Sequence, residues 1–390
     1  METFSVLLIC DSYPPVMGGS EMEAQRVASA MIRRGHRVQV LCAGGPPMPA
    51  LRHWVDPAGV PVRILTRRSR GRWKDVTFAA EVALAIWLGR RRFDLVYFLM
   101  QGLHLAAGLP VAHFLAKPVV VKVAGSNVIP LMRRSRAGRF ELDKLQQWGS
   151  RLLVLNPGMM EEALADGFAR TQITWMPNPV DTQEFRPAKG GESVDWRRSH
   201  GIPEHACVII YTGRLAPEKG LVPLLRGFAL AGRTANDAVL VLLGDGPVRS
   251  QLESLASGFE LSPEQIRFVG RVAPQEVPQW LRASDIFALT SPSEGFSCSL
   301  LEAMAAGLAP LVSAIPGNLQ LIETEVHGLT VPHHDEARIG HAFLRLVADP
   351  ALRRRLGRAA RQRVIENYST EIVVDRYEAL FSEILGRGRT

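Results

Sequence analysis

Short apolar runs alternate with stretches of helical period along most of this chain. Val6–Cys10 is apolar throughout and stops at Asp-Ser-Tyr-Pro-Pro, which reads as a buried strand ending in a loop. Gly18 and Gly19 follow, then Glu21–Arg33 with Met22, Val27, Ala30 and Met31 on one helical period, and Gly35 as the stop. Val38–Cys42 is the next strand. Strand, glycine loop, helix and strand make a right-handed βαβ unit, so the first half predicts a doubly wound parallel sheet. The rhythm continues with strands at Asp94–Leu99, Val119–Val123, Arg151–Leu155 and Ile173–Met176, and helices at Phe78–Leu88, His104–Leu115 and Gly138–Trp148.

The stretch Arg186–Asp195 carries Pro, Gly, Gly and Ser and reads as a linker. Beyond it the alternation restarts. Cys207–Thr212, Ala238–Leu243, Ile266–Val269 and Ile286–Leu289 are strand candidates, and Leu221–Ala231 and Ser299–Ala306 are helices. Tyr368–Leu385 predicts one amphipathic helix that packs back towards the first half. A length of 390 residues suits this division. The expected domains are 1–185, a linker at 186–195, 196–367 and the tail 368–390: two doubly wound α/β halves facing across a cleft, where ligands bind at the carboxyl ends of strands.

The hydrophobic fraction of 47% against 22% charged excludes a disordered chain. Net charge is +8, with basic runs at Arg67–Lys74, Arg90–Arg92 and Arg133–Arg139. These suit phosphate-bearing partners or peripheral contact with an anionic membrane, or a plain solvated face. Nucleic acid is not expected as a partner, because no zinc-finger spacing or RNA-binding signature accompanies the charge. The four cysteines are scattered without a C-x-x-C pair, so neither a disulfide framework nor a zinc site is expected. There is no basic n-region before Val6–Cys10 and no run of about 18 apolar residues, so a cytoplasmic protein without a membrane span is expected, peripheral at most at the membrane's inner face.

Two segments carry candidate chemistry. Gly213-Arg214-Leu-Ala-Pro-Glu-Lys219-Gly220 stands directly between a strand and a helix. Its glycines let the backbone approach a ligand, and Arg214 and Lys219 bring two cations to one place, as a diphosphate leaving group requires. The spacing is not that of a Walker A loop, and an exposed turn with two unrelated cations remains the alternative. Further on, Glu294 lies in a glycine-containing turn and Glu302 in a helix, with seven residues between them. Such a pair suits the hydroxyls of a sugar and a ribose, although the spacing alone equally describes solvated helix charge.

The surroundings narrow the choice. The chain closely resembles the retaining glycosyltransferases of the GT-B fold, in their large bacterial family (glycosyltransferase family 4 type, glycosyl transferases group 1). The resemblance runs from Gly18-Gly19-Ser-Glu21 through Gly35-His-Arg-Val38, Pro177–Asp181 and Gly213–Gly220. It continues through Gly244–Pro247, Phe268–Arg271 and the block Glu294–Gly307. It implies transfer of a sugar from a UDP- or GDP-linked donor to a hydroxyl acceptor in polysaccharide, glycolipid or related cell-envelope glycan synthesis. Arg214 and Lys219 would hold the donor diphosphate. Glu294 would meet the donor sugar, with Gly295, Phe296 and Ser297 offering backbone contacts, and Glu302 the ribose. Gly19 would approach the phosphates, and Gly244, Val269 and Arg271 would border the nucleotide. On this resemblance Arg214, Lys219 and Glu294 are the catalytic candidates, the nucleotide sugar is a co-substrate, and neither metal nor other cofactor is expected.

The chain departs from the family in one respect. Where members carry a histidine after the third strand or a His-Gly step after the fourth, this sequence reads Tyr97-Phe98-Leu99 and Ala124-Gly125. His104 is the nearest substitute, although its apolar surroundings also describe a plain helix histidine. Ser126 and Asn127 are the other acceptor-side candidates. Two alternatives stay open: a non-hydrolysing sugar-nucleotide epimerase, and a catalytically inert sugar-nucleotide-binding subunit.

Overall fold

Most of the apolar runs become strands buried on both faces, the pattern of a parallel sheet covered by helices, with Ile266–Val269 half-buried at the sheet's edge. The computed structural model describes residues 3–386 apart from 17, 45–52, 66–72, 124, 126 and 236. The chain divides into two units, Met1–Pro179 with Thr370–Thr390, and Val180–Ser369.

The first unit contains β1 (Ser5–Cys10), α1 (Gly19–Arg33), β2 (Arg37–Ala43), β3 (His53–Val55), β4 (Pro61–Leu65), α2 (Trp73–Gly89), β5 (Leu95–Leu99) and α3 (Leu103–Phe114). These are followed by β6 (Val119–Lys122), α4 (Val128–Arg133), α5 (Arg136–Gln147), β7 (Arg151–Val154), α6 (Pro157–Ala165) and β8 (Ile173–Trp175). The sheet runs β3-β4-β2-β1-β5-β6-β7-β8 and is parallel except for β3 on β4. Strand β1 has β2 on one side and β5 on the other, with Leu8 opposite both Val40 and Tyr97. The winding therefore reverses at β1 and β5, and in sheets of this kind ligands bind outside the carboxyl ends of the strands at such a reversal.

The C-terminal helix, Thr370–Ile384, belongs to this unit and places Val373, Tyr377 and Phe381 in its core with Leu8, Val27 and Tyr97. Its outer edge is tied by Arg34 to Asp375 and Glu378, and by His36 to Glu378 at 2.9 Å. A buried polar cluster crosses the same core. Lys122 of β6 pairs with Glu23 of α1 and donates to Asn178 Oδ1 at 2.9 Å. Tyr377 donates to Glu23 at 3.2 Å, and the hydroxyls of Tyr97 and Tyr377 meet at 2.9 Å.

The second unit contains α7 (Glu192–Ser199), β9 (Cys207–Thr212), α8 (Leu221–Gly232), β10 (Ala238–Leu243), α9 (Arg249–Ser257), β11 (Ile266–Gly270), α10 (Val277–Arg282) and β12 (Ile286–Leu289). It continues with α11 (Cys298–Ala305), β13 (Ala309–Ser313), α12 (Pro316–Leu319), β14 (Leu329–Val331), α13 (Glu336–Ala348) and α14 (Pro350–Asn367). Its parallel sheet is ordered β11-β10-β9-β12-β13-β14, and the reversal falls between β9 and β12.

The structure departs from the sequence reading in several places. The first unit gives way to the second at Pro179 and Val180, earlier than residue 185. Residues 186–195 are not a free linker: Arg186 holds Glu192 through both guanidinium nitrogens, and Glu192 opens α7. The tail is not one helix from Tyr368, because Tyr368 caps α14 and the last helix starts at Thr370. Helix α2 begins at Trp73 rather than Phe78. Of the basic run 67–74, residues 67–72 lie outside the described residues.

Candidate functional site

In the second unit, three neighbouring strands end in glycines of left-handed backbone: Gly213 after β9 (φ 150°), Gly244 after β10 (φ 145°) and Gly270 closing β11 (φ 85°). Gly244 N–H donates to the Gly270 carbonyl at 2.9 Å, and Gly213 N–H to the Leu243 carbonyl at 3.0 Å. A Cβ on Gly244 would stand 1.9 Å from the Gly213 carbonyl oxygen, so only glycine permits this approach. The result is a floor of three glycines at the carboxyl ends of β9 to β11, with the Tyr211 hydroxyl beside Gly213 and the Arg249 guanidinium beside Gly270. Val269 is half-buried beside it and Arg271 is exposed just beyond.

The segment Gly213–Gly220 leaves this floor under restraint. Leu215 N–H bonds the Asp245 carbonyl at 3.0 Å, and Tyr211 donates to the Arg214 carbonyl at 2.8 Å. Burial pushes the Tyr211 phenol above its usual range, with Glu294 and Glu218 adding to the effect, so it remains a neutral donor. Arg214 is exposed and pairs with Glu218. Lys219 turns across the reversal point and meets Glu294 Oε1 at 2.8 Å, the lysine side chain 25% exposed and the glutamate 11%. The two partners come from the loops after β9 and β12, the strands between which the winding reverses.

Glu294 is held from the far side by backbone. A Cβ on Gly317 would fall 1.9 Å from the Glu294 carbonyl oxygen, and Gln320 Nε2 donates to the Gly295 carbonyl at 3.2 Å. Ser313 donates to the Ser291 carbonyl at 2.6 Å, and Asn318 in turn donates to Ser313. Ser297 caps α11 by accepting from Leu300 N–H at 3.2 Å, so its hydroxyl is engaged locally and its backbone N–H remains at a helix N-terminus. The Phe296 ring is buried against Tyr368 at 5.9 Å. Glu302 stands in α11, half-buried. Gly317, Gln320 and Arg249, whose guanidinium bonds the Phe268 carbonyl at 3.3 Å beside Gly270, escaped the sequence reading. Pro-Gly-Asn after a strand, and an Arg just past Gly244–Pro247, were the available signals.

In the first unit, Gly19 is the first residue of α1 rather than part of a free loop. His104 is buried at the start of α3, and its Nδ1 lies 3.1 Å from Oδ1 of Asp11, at the carboxyl end of β1. Phe78 and Phe98 flank its ring at 5.4 and 6.1 Å. Its Nε2 is buried without a hydrogen-bond partner among the described residues. Asn127 is exposed after β6 in a left-handed conformation (φ 59°), its N–H bonded to Glu162 at 3.0 Å. Ser126 lies outside the described residues.

Glu141 of α5 completes the His104 neighbourhood and was not foreseen. Burial pushes its carboxyl up to about 7, against lowering by His104 and by the Gly102 N–H. A raised carboxyl favours the folded state while it is protonated. That contribution is full below about pH 4.5 and is lost as pH climbs to about 7. Glu141→Gln should therefore flatten the decline of the unfolding temperature over this window and stabilise the protein above pH 7 by up to about 3 kcal/mol. Thermal melts at pH 5 and pH 8 check this; equal pH slopes for parent and variant would refute it.

Among the described residues, no group of three His, Cys, Asp or Glu side chains is arranged to hold a metal, and no helix is long and apolar enough to cross a membrane. No disulfide joins any of the four cysteines.

Two family models match the chain, Glycosyltransferase Family 4 over residues 17–184 and Glycosyl transferases group 1 over 193–363. A GDP-mannose-dependent monoacylated alpha-(1-6)-phosphatidylinositol monomannoside mannosyltransferase of Corynebacterium glutamicum is 29% identical over 52% of this chain and 54% of its own length. The match thus spans about half of that relative. A GDP-mannose-dependent alpha-mannosyltransferase of Mycobacterium tuberculosis is 28% identical over 99% of this chain and 98% of its own length. Among solved structures, Anabaena HepE in complex with UDP and glucose superposes with a TM-score of 0.80 at 18% identity, covering 97% of this chain and all of that one. At that identity the likeness speaks for the fold, a GT-B pair of parallel-sheet units.

Proposed function

The chain belongs to the glycosyltransferases of the group 1, family 4 type, and on that premise we propose that it moves a sugar from a UDP- or GDP-linked donor to a hydroxyl acceptor with retention of anomeric configuration. The observation that carries this reading is the Lys219–Glu294 pair, set across the reversal of the second sheet beside the floor of Gly213, Gly244 and Gly270. Lys219 and Arg214 supply the positive charge that a departing diphosphate needs. Glu294 and the N–H groups around Gly295–Ser297 meet the hydroxyls of the transferred sugar, and Glu302 the ribose. Gly244, Val269 and Arg271 border the nucleotide, and Gly19 approaches its phosphates. Acceptor recognition falls to the first unit, where His104 and Asn127 stand at the carboxyl ends of its strands, with Ser126 in the same sequence segment.

With no carboxylate of the reading assigned as nucleophile, the acceptor oxygen bonds to the anomeric carbon on the face from which the diphosphate leaves, and the diphosphate takes the acceptor proton. The two cations meet the developing charge, so the reaction is read as metal-independent. A lipid-linked or polysaccharide acceptor of the cell envelope suits the basic first unit.

A thermal-shift series with UDP, GDP and ADP and their sugar conjugates tests the donor. At 100 times the dissociation constant, binding adds about 2.7 kcal/mol of stability. One nucleotide family should shift the melt, and turnover of its sugar conjugate in EDTA should yield a product of unchanged anomeric configuration. No shift from any nucleotide, or an inverted product, would overturn the reading. Conversion of the donor without any acceptor would instead favour the epimerase.

A further inference from the structure

We propose that the outward face of α2 docks on an anionic lipid bilayer. This helix is apolar on two opposite sides. Phe78, Ala79, Val82, Ala85 and Ile86 are buried against the first unit. Trp73, Val76, Ala80, Leu84, Trp87 and Leu88 are exposed. At 100° per residue the exposed set falls within an arc of about 120°, directly opposite the buried one. The exposure is large, 71% for Trp73, 55% for Leu84 and 62% for Leu88. A helix that is apolar on both sides belongs in apolar surroundings on both sides, and one side of this one faces solvent.

The stripe extends sideways, and its rim is mainly cationic. Phe114, at the end of α3 and 74% exposed, stacks on Trp87 at 5.8 Å. The Arg90 guanidinium lies 5.6 Å over the Trp87 ring, and Arg91 and Arg92 are exposed next to it. Lys74 stands near the other end. The acidic residues of α2 are off the stripe: Asp75 falls on the arc of the buried residues, and Glu81 at the stripe's margin.

Bulky aliphatic side chains bounded by tryptophan and arginine match the boundary between acyl chains and anionic headgroups, where aromatic rings sit at headgroup depth and cations meet phosphate. A second copy fits less well, because a symmetric pairing of this stripe would gather its cationic rims together. The helix has 17 residues, and no described helix is long and apolar enough to cross a bilayer, so the contact is docking and not insertion.

The inference does not rest on the donor reading and is tested apart from it. The full chain is sedimented with phosphatidylcholine vesicles, with and without phosphatidylglycerol. Binding should require phosphatidylglycerol and weaken as salt screens the arginines. Leu84→Glu with Leu88→Glu should lower the partition coefficient about tenfold or more, since both side chains would have to bury charge. The unfolding temperature and any nucleotide-induced shift should stay at the parent's values. Arg91→Glu with Arg92→Glu should erase the preference for phosphatidylglycerol. Failure of the parent to bind, or equal binding by the Leu84/Leu88 variant, would overturn the proposal. So would light scattering that shows the substitutions splitting a dimer while vesicle binding is absent.

Discussion

Replacing Lys219 by alanine is expected to lower turnover by about 10²–10³-fold, the usual cost of removing one preorganised donor from a site where charge develops. The lysine is placed for that task by the geometry of its own loop. It sits in the turn between β9 and α8, with Gly220 behind it at a φ of 63°, where a Cβ would stand 2.2 Å from the Thr290 carbonyl oxygen. Its Nζ lies 2.8 Å from Glu294, and its side chain is 25% exposed. Glu294 is 11% exposed, so losing the lysine leaves a mostly buried carboxylate short of its partner, at a cost of about 1–3 kcal/mol. The Lys219→Ala melt should therefore fall by up to about 10 °C, leaving the chain folded while turnover collapses.

Donor affinity separates two components of that loss. A charge-assisted contact to the ground-state diphosphate is worth about 1.5–3 kcal/mol and appears in the Michaelis constant, whereas stabilisation made only as the diphosphate departs appears in kcat. A fall in kcat larger than the rise in KM would place the lysine's main effect on the departing charge. Lys219→Arg keeps the charge and should recover part of the rate, because the fork of the guanidinium cannot reproduce a single ammonium contact. Turnover near the parent's in Lys219→Ala would remove the diphosphate role and leave the pair as a plain loop brace.

This placement was legible in part from the sequence. A glycine-flanked Arg and Lys were read between a strand and a helix and do lie between β9 and α8, and Glu294 stands in the loop after β12 as expected. What sequence could not show is the closure between them, since the partners are 75 positions apart and meet only because β12 inserts beside β9. The same holds in the first unit. His104 was visible, but Asp11 and Glu141 became its neighbours only through the reversal at β1 and the packing of α5. Strands β3, β4, β13 and β14 escaped because Pro61 and Arg63 interrupt β4, Pro310 interrupts β13, and β3 and β14 are only three residues long. The apolar outer face of α2 was hidden for a different reason. Periodicity identifies an apolar face, and on a helix apolar all round it does not say which side the protein covers.

Lys122 poses the sharpest case of a residue whose meaning depends on distant partners. Within Val119–Val123 it is a charge in an otherwise apolar strand, and it is 1% exposed. The fold supplies Glu23 from α1 and Asn178 from the segment after β8, and Tyr377 of the C-terminal helix completes the cluster. Burial raises the Glu23 carboxyl and Lys122 opposes that rise. Lys122→Met removes the opposing charge and leaves a buried carboxylate, at an expected cost of about 3–5 kcal/mol. For a unit of this size that is a drop of roughly 10 °C in the unfolding temperature. The sign with pH follows from the raised carboxyl: the variant is closest to the parent below about pH 4.5, where Glu23 is protonated in both folded and unfolded chains, and loses ground as pH rises. Combining Lys122→Met with Glu23→Gln removes both charges and should restore most of the loss, since replacing both partners of a buried pair is often near neutral. Thermal melts of the parent and both variants at pH 5 and pH 8 decide it. A single variant that melts with the parent, or a loss that ignores pH, would mean that water reaches Glu23 and that the packing of Tyr97 and Tyr377, not charge, joins the C-terminal helix to this core.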